Sequence, residues 1–407
     1  MATTTVDPVV YNPFDLQTQH NPYPIYERLR EEAPVYHNEE LGFWALSRYA
    51  DVLAAHLDPA TFISSRGVTL EGLEQGRPFL ILKDPPEHEW HRRVVSRVFT
   101  PRYVATLEPF IRKVAGDLLD SFADRDGFDV VEDFSIQMPL RVASELFQIP
   151  EEHRQTVHLL SDRVVARDDS GAVTDDAAAA SLELAALMYE LVVERRRNPG
   201  DDVNSMMINT PVVDDHGNEH LLDDEEAATR FVELAFAGHE TVARLIPNGV
   251  VALTWYPDQR RQLVEDPSLL PNAVEEMLRW DCPSHYQGRW STRATEWHGV
   301  EIPADVRVIL ITGAANHDPR VYDDPELFDI HREITRPVGF GFGVHLCLGA
   351  NLARLETRIA FEELLRRYPE WEIDEANVVR LRSGNVRGLA HLPIRVSSPR
   401  RPQQKES

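Results

Sequence analysis

Apolar residues recur at helical spacing through most of the chain, a pattern that predicts a mainly α-helical protein. Residues 22–32 carry their apolar positions on one face, and 104–124, 135–148, 151–167 and 175–197 each read as amphipathic helices. Short β-like runs stand at 34–36 and 43–46, ahead of a helix from about Asp51. Around 296–311 the pattern changes to turns and β-branched runs, and a last helix is expected over 350–367.

One segment departs from this rhythm. Asp223-Asp224-Glu225-Glu226 makes a capping-box start with an acidic first turn, which suits the helix dipole. No strong stop follows until Trp255-Tyr256-Pro257, although Gly238 and Pro247 each favour a kink. The predicted helix is about 30 residues, or roughly 45 Å, against a mean near 12 residues. Its run from Phe231 to Gly238 is apolar nearly all round, so it should be central.

Length and composition bound the rest. The 407 residues hold no repeat and no internal Gly/Ser linker, so one domain over 1–397 is expected, with a polar disordered tail at 398–407. The 67 acidic against 42 basic residues leave a net charge of −25, which argues against nucleic acid or an anionic membrane as the general partner. Cys282 and Cys347 are the only cysteines, too few for a secreted disulfide framework. The first residues show no basic, apolar leader, and no run approaches a membrane span. A cytoplasmic protein is the expectation.

The sharpest chemical signal is Phe340-Gly341-Phe342-Gly343-Val344-His345-Leu346-Cys347-Leu348-Gly349, just ahead of the 350–367 helix. A cysteine at a helix N-terminus has its thiolate stabilised by free N–H groups, and flanking glycines let the backbone approach a flat partner. One thiolate is wrong for structural zinc, which takes four ligands, and suits an axial ligand to haem iron. A structural buried cysteine is the competing reading. Ala237-Gly238-His239-Glu240-Thr241 lies inside the long helix. Its His-Glu pair suggests a zinc-protease helix, but position 243 is alanine and the second histidine is missing. Gly238 weakens the helix, and Thr241 can bond back to a carbonyl one turn earlier. Glu276-Met277-Leu278-Arg279 is, as bare chemistry, an i,i+3 ion pair of a kind that usually decorates solvated faces.

Together these stretches resemble the cytochrome P450 family of haem-thiolate monooxygenases, in its soluble bacterial form, over nearly the whole chain. The resemblance implies a mainly α fold with small β-sheets, shaped like a triangular prism. Haem b would lie between the long central helix and the cysteine-bearing helix. Cys347 then ligates the iron, with Ala237, Gly238, Phe340, Gly341 and Gly349 against the cofactor. His88, Arg92, Arg289 and His345 match the partners of its propionates, with Arg293 competing for the place of Arg289. Thr241 then holds dioxygen by a hydrogen bond and Glu240 relays protons for O–O cleavage. Glu276, Arg279 and Arg332 become a structural triad behind the cysteine loop. Arg244 has no role in this scheme.

Substrate should bind on the distal side, walled by residues 64–81, the 160–180 hairpin and the central helix. Val68, Leu70, Leu234, Ser284, Tyr286 and Val386 are the candidate contacts, with His285 and Tyr286 as polar anchors. A mostly apolar wall implies a lipophilic substrate: terpenoid, steroid, fatty or aromatic. No flavin, dinucleotide or iron–sulfur motif is present, so NAD(P)H acts only through a separate reductase and ferredoxin. Arg92, Arg93, Arg97, Arg102, Arg112 and Lys113, with Arg354 and Arg358, would form a basic face for an acidic ferredoxin. The expected enzyme is a monomer that hydroxylates or epoxidises its substrate with O2. A peroxide-driven peroxygenase and a non-catalytic haem protein remain the alternatives.

Overall fold

The long helix forms and ends where its caps dictate. Asp223 accepts a hydrogen bond from the Glu226 N–H at 2.8 Å, and the helix then runs unbroken from Asp224 to Trp255. It stops at Tyr256 because Pro257 biases the preceding residue away from helical geometry. Pro247 lies within it and has no N–H to give the Ala243 carbonyl. The Ser135 Oγ supplies the missing donor at 2.8 Å, so the helix passes its proline without an unpaired carbonyl there.

The computed structural model describes residues 7–70, 79–165, 174–200 and 203–396. Around the central helix pack Gln137–Leu146, Asp175–Arg197, Leu270–Trp280 and Ala350–Arg367, whose buried faces share one large apolar core. The 175–197 and 350–367 helices lie where the sequence pattern places them. The 104–124 segment instead divides into Pro101–Thr106 and Glu108–Asp120, because Pro109 can occupy a first turn and not a helix interior. The expected tail falls outside the described residues, as do parts of the 64–81 and 160–180 walls.

Among the described residues the strands make five small sheets. Five strands form a single sheet in the order Val35–Asn38, Phe43–Leu46, Arg307–Leu310, Gln287–Ser291, Phe62–Ile63. Only the pairing of Phe43–Leu46 with Arg307–Leu310 is parallel within it. This sheet brings Arg289 to the same cavity as His88 and Arg92 of the helix Glu87–Val95 and the cysteine loop. No helix among the described residues is long and apolar enough to cross a membrane.

Candidate active site

The cysteine loop is shaped by two left-handed glycines, Gly341 at φ 67° and Gly343 at φ 69°. A Cβ on Gly343 would also lie 2.5 Å from the His56 carbonyl, so no other residue fits there. The Cys347 N–H closes the loop onto the Phe340 carbonyl at 2.9 Å, just ahead of the helix Ala350–Arg367. The thiol opens into a cavity of about 330 Å³ between this loop and the central helix. Burial pushes the Cys347 thiol above its ordinary value, while the Gly349 N–H, Arg92 and Arg354 pull it down.

Across the cavity the central helix presents Leu234, Ala237, Gly238 and Thr241. A Cβ on Gly238 would meet nothing within 4 Å, so the cavity lies open in front of the glycine. Thr241 Oγ1 donates to the Ala237 carbonyl one turn back at 3.3 Å, the bond expected from the sequence. Glu240 is turned away from this wall. Its Oε1 takes two hydrogen bonds from Arg244, at 3.0 and 2.8 Å, and both side chains are buried.

The four expected cationic partners meet on the cavity's other rim. His88 and Arg92 come from one helix, Arg289 from the five-stranded sheet and His345 from the cysteine loop. Arg293 is no competitor: it is 70% exposed and its Nε donates to Thr61 Oγ1 at 2.9 Å. The rim gathers two arginines and two histidines, with Asp84 the carboxylate that acts on His88 and Arg289. Burial and then Arg289 push His345 down to about 2; burial and then Arg92 push His88 down to about 4. Their rings lie 4.2 Å apart, and the buried His88 Nδ1 has no hydrogen-bond partner. An orphaned imidazole nitrogen among two arginines fits a ligand carrying carboxylates, which is what haem offers through its propionates. The residues present therefore fit the cofactor: thiolate on one side, cations at one rim, apolar walls elsewhere.

Of the substrate candidates, Val68, Leu234, Ser284 and Tyr286 line the cavity. Leu70 does not: it packs among Tyr11, Phe43 and Ile309, with its N–H on the Tyr286 hydroxyl at 3.2 Å. Val386 bridges to Ser284 and faces a second, much smaller pocket, so it too lies off the wall. His285 faces that smaller cavity as well, hydrogen-bonded through Nδ1 to the Tyr26 hydroxyl at 2.9 Å.

The triad behind the loop assembles as expected. Arg279 meets both oxygens of Glu276 at 2.7 Å, and Arg332 Nε reaches Glu276 Oε1 at 3.3 Å. Arg279 also donates to the carbonyls of Asn316, Pro325 and Leu327, so both buried charges are fully partnered. Its helix carries Leu278, whose carbonyl stands 3.0 Å from where a Gly339 Cβ would be. The cysteine loop therefore rests directly on the helix that the triad fixes.

The expected basic face is largely neutralised. Arg112 pairs with Glu108, Glu362 and Glu363, Arg358 with Glu108 and Glu362, Arg354 with Glu275, and Lys113 with Asp117. Arg92 turns inward, onto the Leu346 carbonyl at 2.6 Å. Arg93, Arg97 and Arg102 remain exposed and without an ion pair among the described residues. Sequence runs show where charges of one sign gather, but not which acidic residues fold back onto them.

Two cavity residues carried no motif. His56 is buried with both ring nitrogens unpartnered, and burial with Arg289 pushes it down to about 3. Glu233 accepts the N–H groups of Leu80 and Ile81 at 2.7 and 2.9 Å and is held by Arg230 at 2.6 Å. A carboxylate inside the apolar run 231–238 was the available signal for it.

This geometry agrees with the comparisons to known proteins. The sequence model of the family described as "Cytochrome P450" matches residues 4–395. The chain belongs to the cytochrome P450 family. It is 38% identical over 406 residues to the putative cytochrome P450 123 of Mycobacterium tuberculosis, covering 98% of this chain and 100% of that one. It is 38% identical to the vitamin D(3) 25-hydroxylase of Pseudonocardia autotrophica, over 97% of this chain and 98% of the relative. A solved structure of a mutant of P450 EryK in complex with erythromycin B superposes with a TM-score of 0.85 at 35% identity, over 97% and 100% of the two chains. As a cytochrome P450 this is a haem-thiolate monooxygenase, with O2 as co-substrate and NAD(P)H acting indirectly through a reductase.

Proposed function

We propose that this cytochrome P450 hydroxylates a lipophilic small molecule, drawing its electrons from a ferredoxin. The overall change is R–H + O2 + 2 e⁻ + 2 H⁺ → R–OH + H2O. The observation that carries the reading is the Cys347 thiol facing, across one cavity, the gap at Gly238 and Thr241. When bound, haem with a thiolate ligand supplies the oxygen activation and the insertion.

The chain's own residues do the rest. Arg92, Arg289, His88 and His345 hold the propionates and fix the macrocycle's rotation. Val68, Leu234 and Tyr286 exclude water from the distal side and orient the substrate's apolar body. Thr241 Oγ1 donates a hydrogen bond into the gap, exchanging its long bond to Ala237 for one to dioxygen. Glu240, its neighbour, is the acid through which protons pass. The relatives named for acting on vitamin D(3) and erythromycin C-12 support a bulky, largely apolar substrate. Arg93, Arg97 and Arg102 are the charges left for an acidic ferredoxin, and Arg97 lies close to the start of the cysteine helix, where Asn351 holds the Phe99 carbonyl. The free thiols and the lack of a membrane-crossing helix among the described residues fit residence in the cytoplasm.

Thr241→Ala tests the assignment. It should retain NAD(P)H consumption while the share of electrons lost as hydrogen peroxide rises several-fold, measured by peroxide formed per NAD(P)H oxidised. Unchanged coupling in that variant would remove Thr241 from the mechanism.

A further inference from the structure

Arg244 is a buried charge that this scheme leaves unexplained. It is 3% exposed, one turn beyond Glu240 on the central helix. Its Nε and Nη2 both donate to the same carboxylate oxygen, Oε1, at 3.0 and 2.8 Å. Its Nη1 donates to the Leu389 carbonyl at 2.8 Å, tying the pair to a strand outside the helix. The residue just before that strand is built to admit it: a Cβ on Gly388 would lie 2.7, 2.8 and 2.9 Å from the Cβ, Cδ and Cγ of Arg244. No donor among the described residues reaches Glu240 Oε2. Replacing a buried ion pair by apolar side chains is often neutral or stabilising, so stability alone gives no reason for this pair.

We propose that Arg244 is the positioning residue of the proton relay, holding Glu240 by Oε1 so that Oε2 is the oxygen through which protons enter and leave. This rests on the relay reading of Glu240 given above. In each pass an O–H bond of one water breaks as Oε2–H forms, and Oε2–H then breaks as an O–H bond forms on a second water, which carries the proton on toward Gly238 and Thr241. Arg244 touches neither substrate nor cofactor; it acts through Glu240. Free of the guanidinium, the carboxylate rotates, and both oxygens compete for the same water.

The test uses the reduced holoenzyme without substrate, mixed with oxygenated buffer in H2O and in D2O. The rate of reoxidation in each solvent gives a solvent isotope effect, compared among wild type, Arg244→Met, Glu240→Gln and the double variant. Arg244→Met should change the isotope effect about twofold or more, and the double variant should equal Glu240→Gln alone. Arg244→Lys, which keeps the charge with a single donor group, should fall between wild type and Arg244→Met. Gly388→Ala, which alters no charge and only crowds the arginine stem, should reproduce the Arg244→Met effect if that variant does not retain haem. A second reading is spectroscopic: the Glu240 carboxylate stretch, identified in the resting holoenzyme by infrared difference against Glu240→Gln, should shift in Arg244→Lys. A purely structural role would move the urea midpoint and leave the isotope effect in place.

An Arg244→Met effect of equal size with and without Glu240 overturns the proposal. So does an unmoved isotope effect in Arg244→Met, Arg244→Lys and Gly388→Ala when Glu240→Gln does change it; the relay then stands without Arg244. If Glu240→Gln itself leaves the isotope effect unchanged, the relay reading fails first and the positioning role falls with it.

Discussion

Single atoms decide how the central helix can be both long and functional. Pro247 withholds an N–H from the Ala243 carbonyl, and the Ser135 hydroxyl, from a different segment, replaces that donor. Because the carbonyl is buried, its loss of a partner should cost about 1–3 kcal/mol. Ser135→Ala is therefore expected to lower the urea midpoint by that equivalent while leaving the Cys347 loop and its spectrum unchanged. A midpoint within error of wild type would mean that Ser135 does not satisfy this carbonyl. Gly238 and Thr241 show the complementary case, where an absent side chain and a side-chain bond to the backbone open a gap on purpose. Glu240 differs from its neighbour in direction: it faces Arg244, and the chemistry assigned to it depends on that pairing.

At the level of elements, sequence periodicity located the helices whose faces are uniformly apolar or amphipathic. The 175–197 and 350–367 helices match the pattern to the residue, and the central helix begins at its predicted cap. Pro109 divided the 104–124 stretch because a proline allowed by apolar spacing is forbidden by backbone geometry. The cysteine loop, the Glu276 triad and the cationic rim were legible because each sits in a short motif with strict chemical demands. Leu70 and Val386 were misplaced for a different reason. Loop position says which segments approach a cavity, but side-chain direction within a loop follows from hydrogen bonds such as Leu70 N–H to Tyr286. His56 and Glu233 were missed because each acts alone, outside any motif, and becomes visible only once distant segments pack around it.

For the whole molecule, the excess of acidic residues sets solubility, while internal pairing decides what remains for a partner. Arg112, Arg354 and Arg358 are spent within the fold, so the cationic face is narrower than the sequence suggested. Buried titratable groups also fix how stability responds to acid. Burial holds His56 near 3 and His91 and His285 near 4, each below the ordinary value of about 6.5. Between about pH 6.5 and pH 4 the unfolded chain binds protons at these sites that the native chain refuses, so stability falls as pH falls. Glu356 opposes this, since burial raises its carboxyl and the native state holds that proton, but it is one group against these three and against His88 and His345, which are depressed as well. The urea midpoint should therefore drop steadily from pH 7 to pH 5. A midpoint that held level or rose over that interval would show that these imidazoles are not buried as described.

All of these arguments depend on Cys347 being the ligand that makes the cavity a haem-thiolate site. The most direct measurement is the absorption spectrum of the reduced, CO-bound holoenzyme, in wild type and in Cys347→Ser. Wild type should give the strongly red-shifted Soret band of a thiolate-ligated haem, and Cys347→Ser should lose that band or lose the haem. A wild-type spectrum without the thiolate band, or a band that survives in Cys347→Ser, would contradict the assignment.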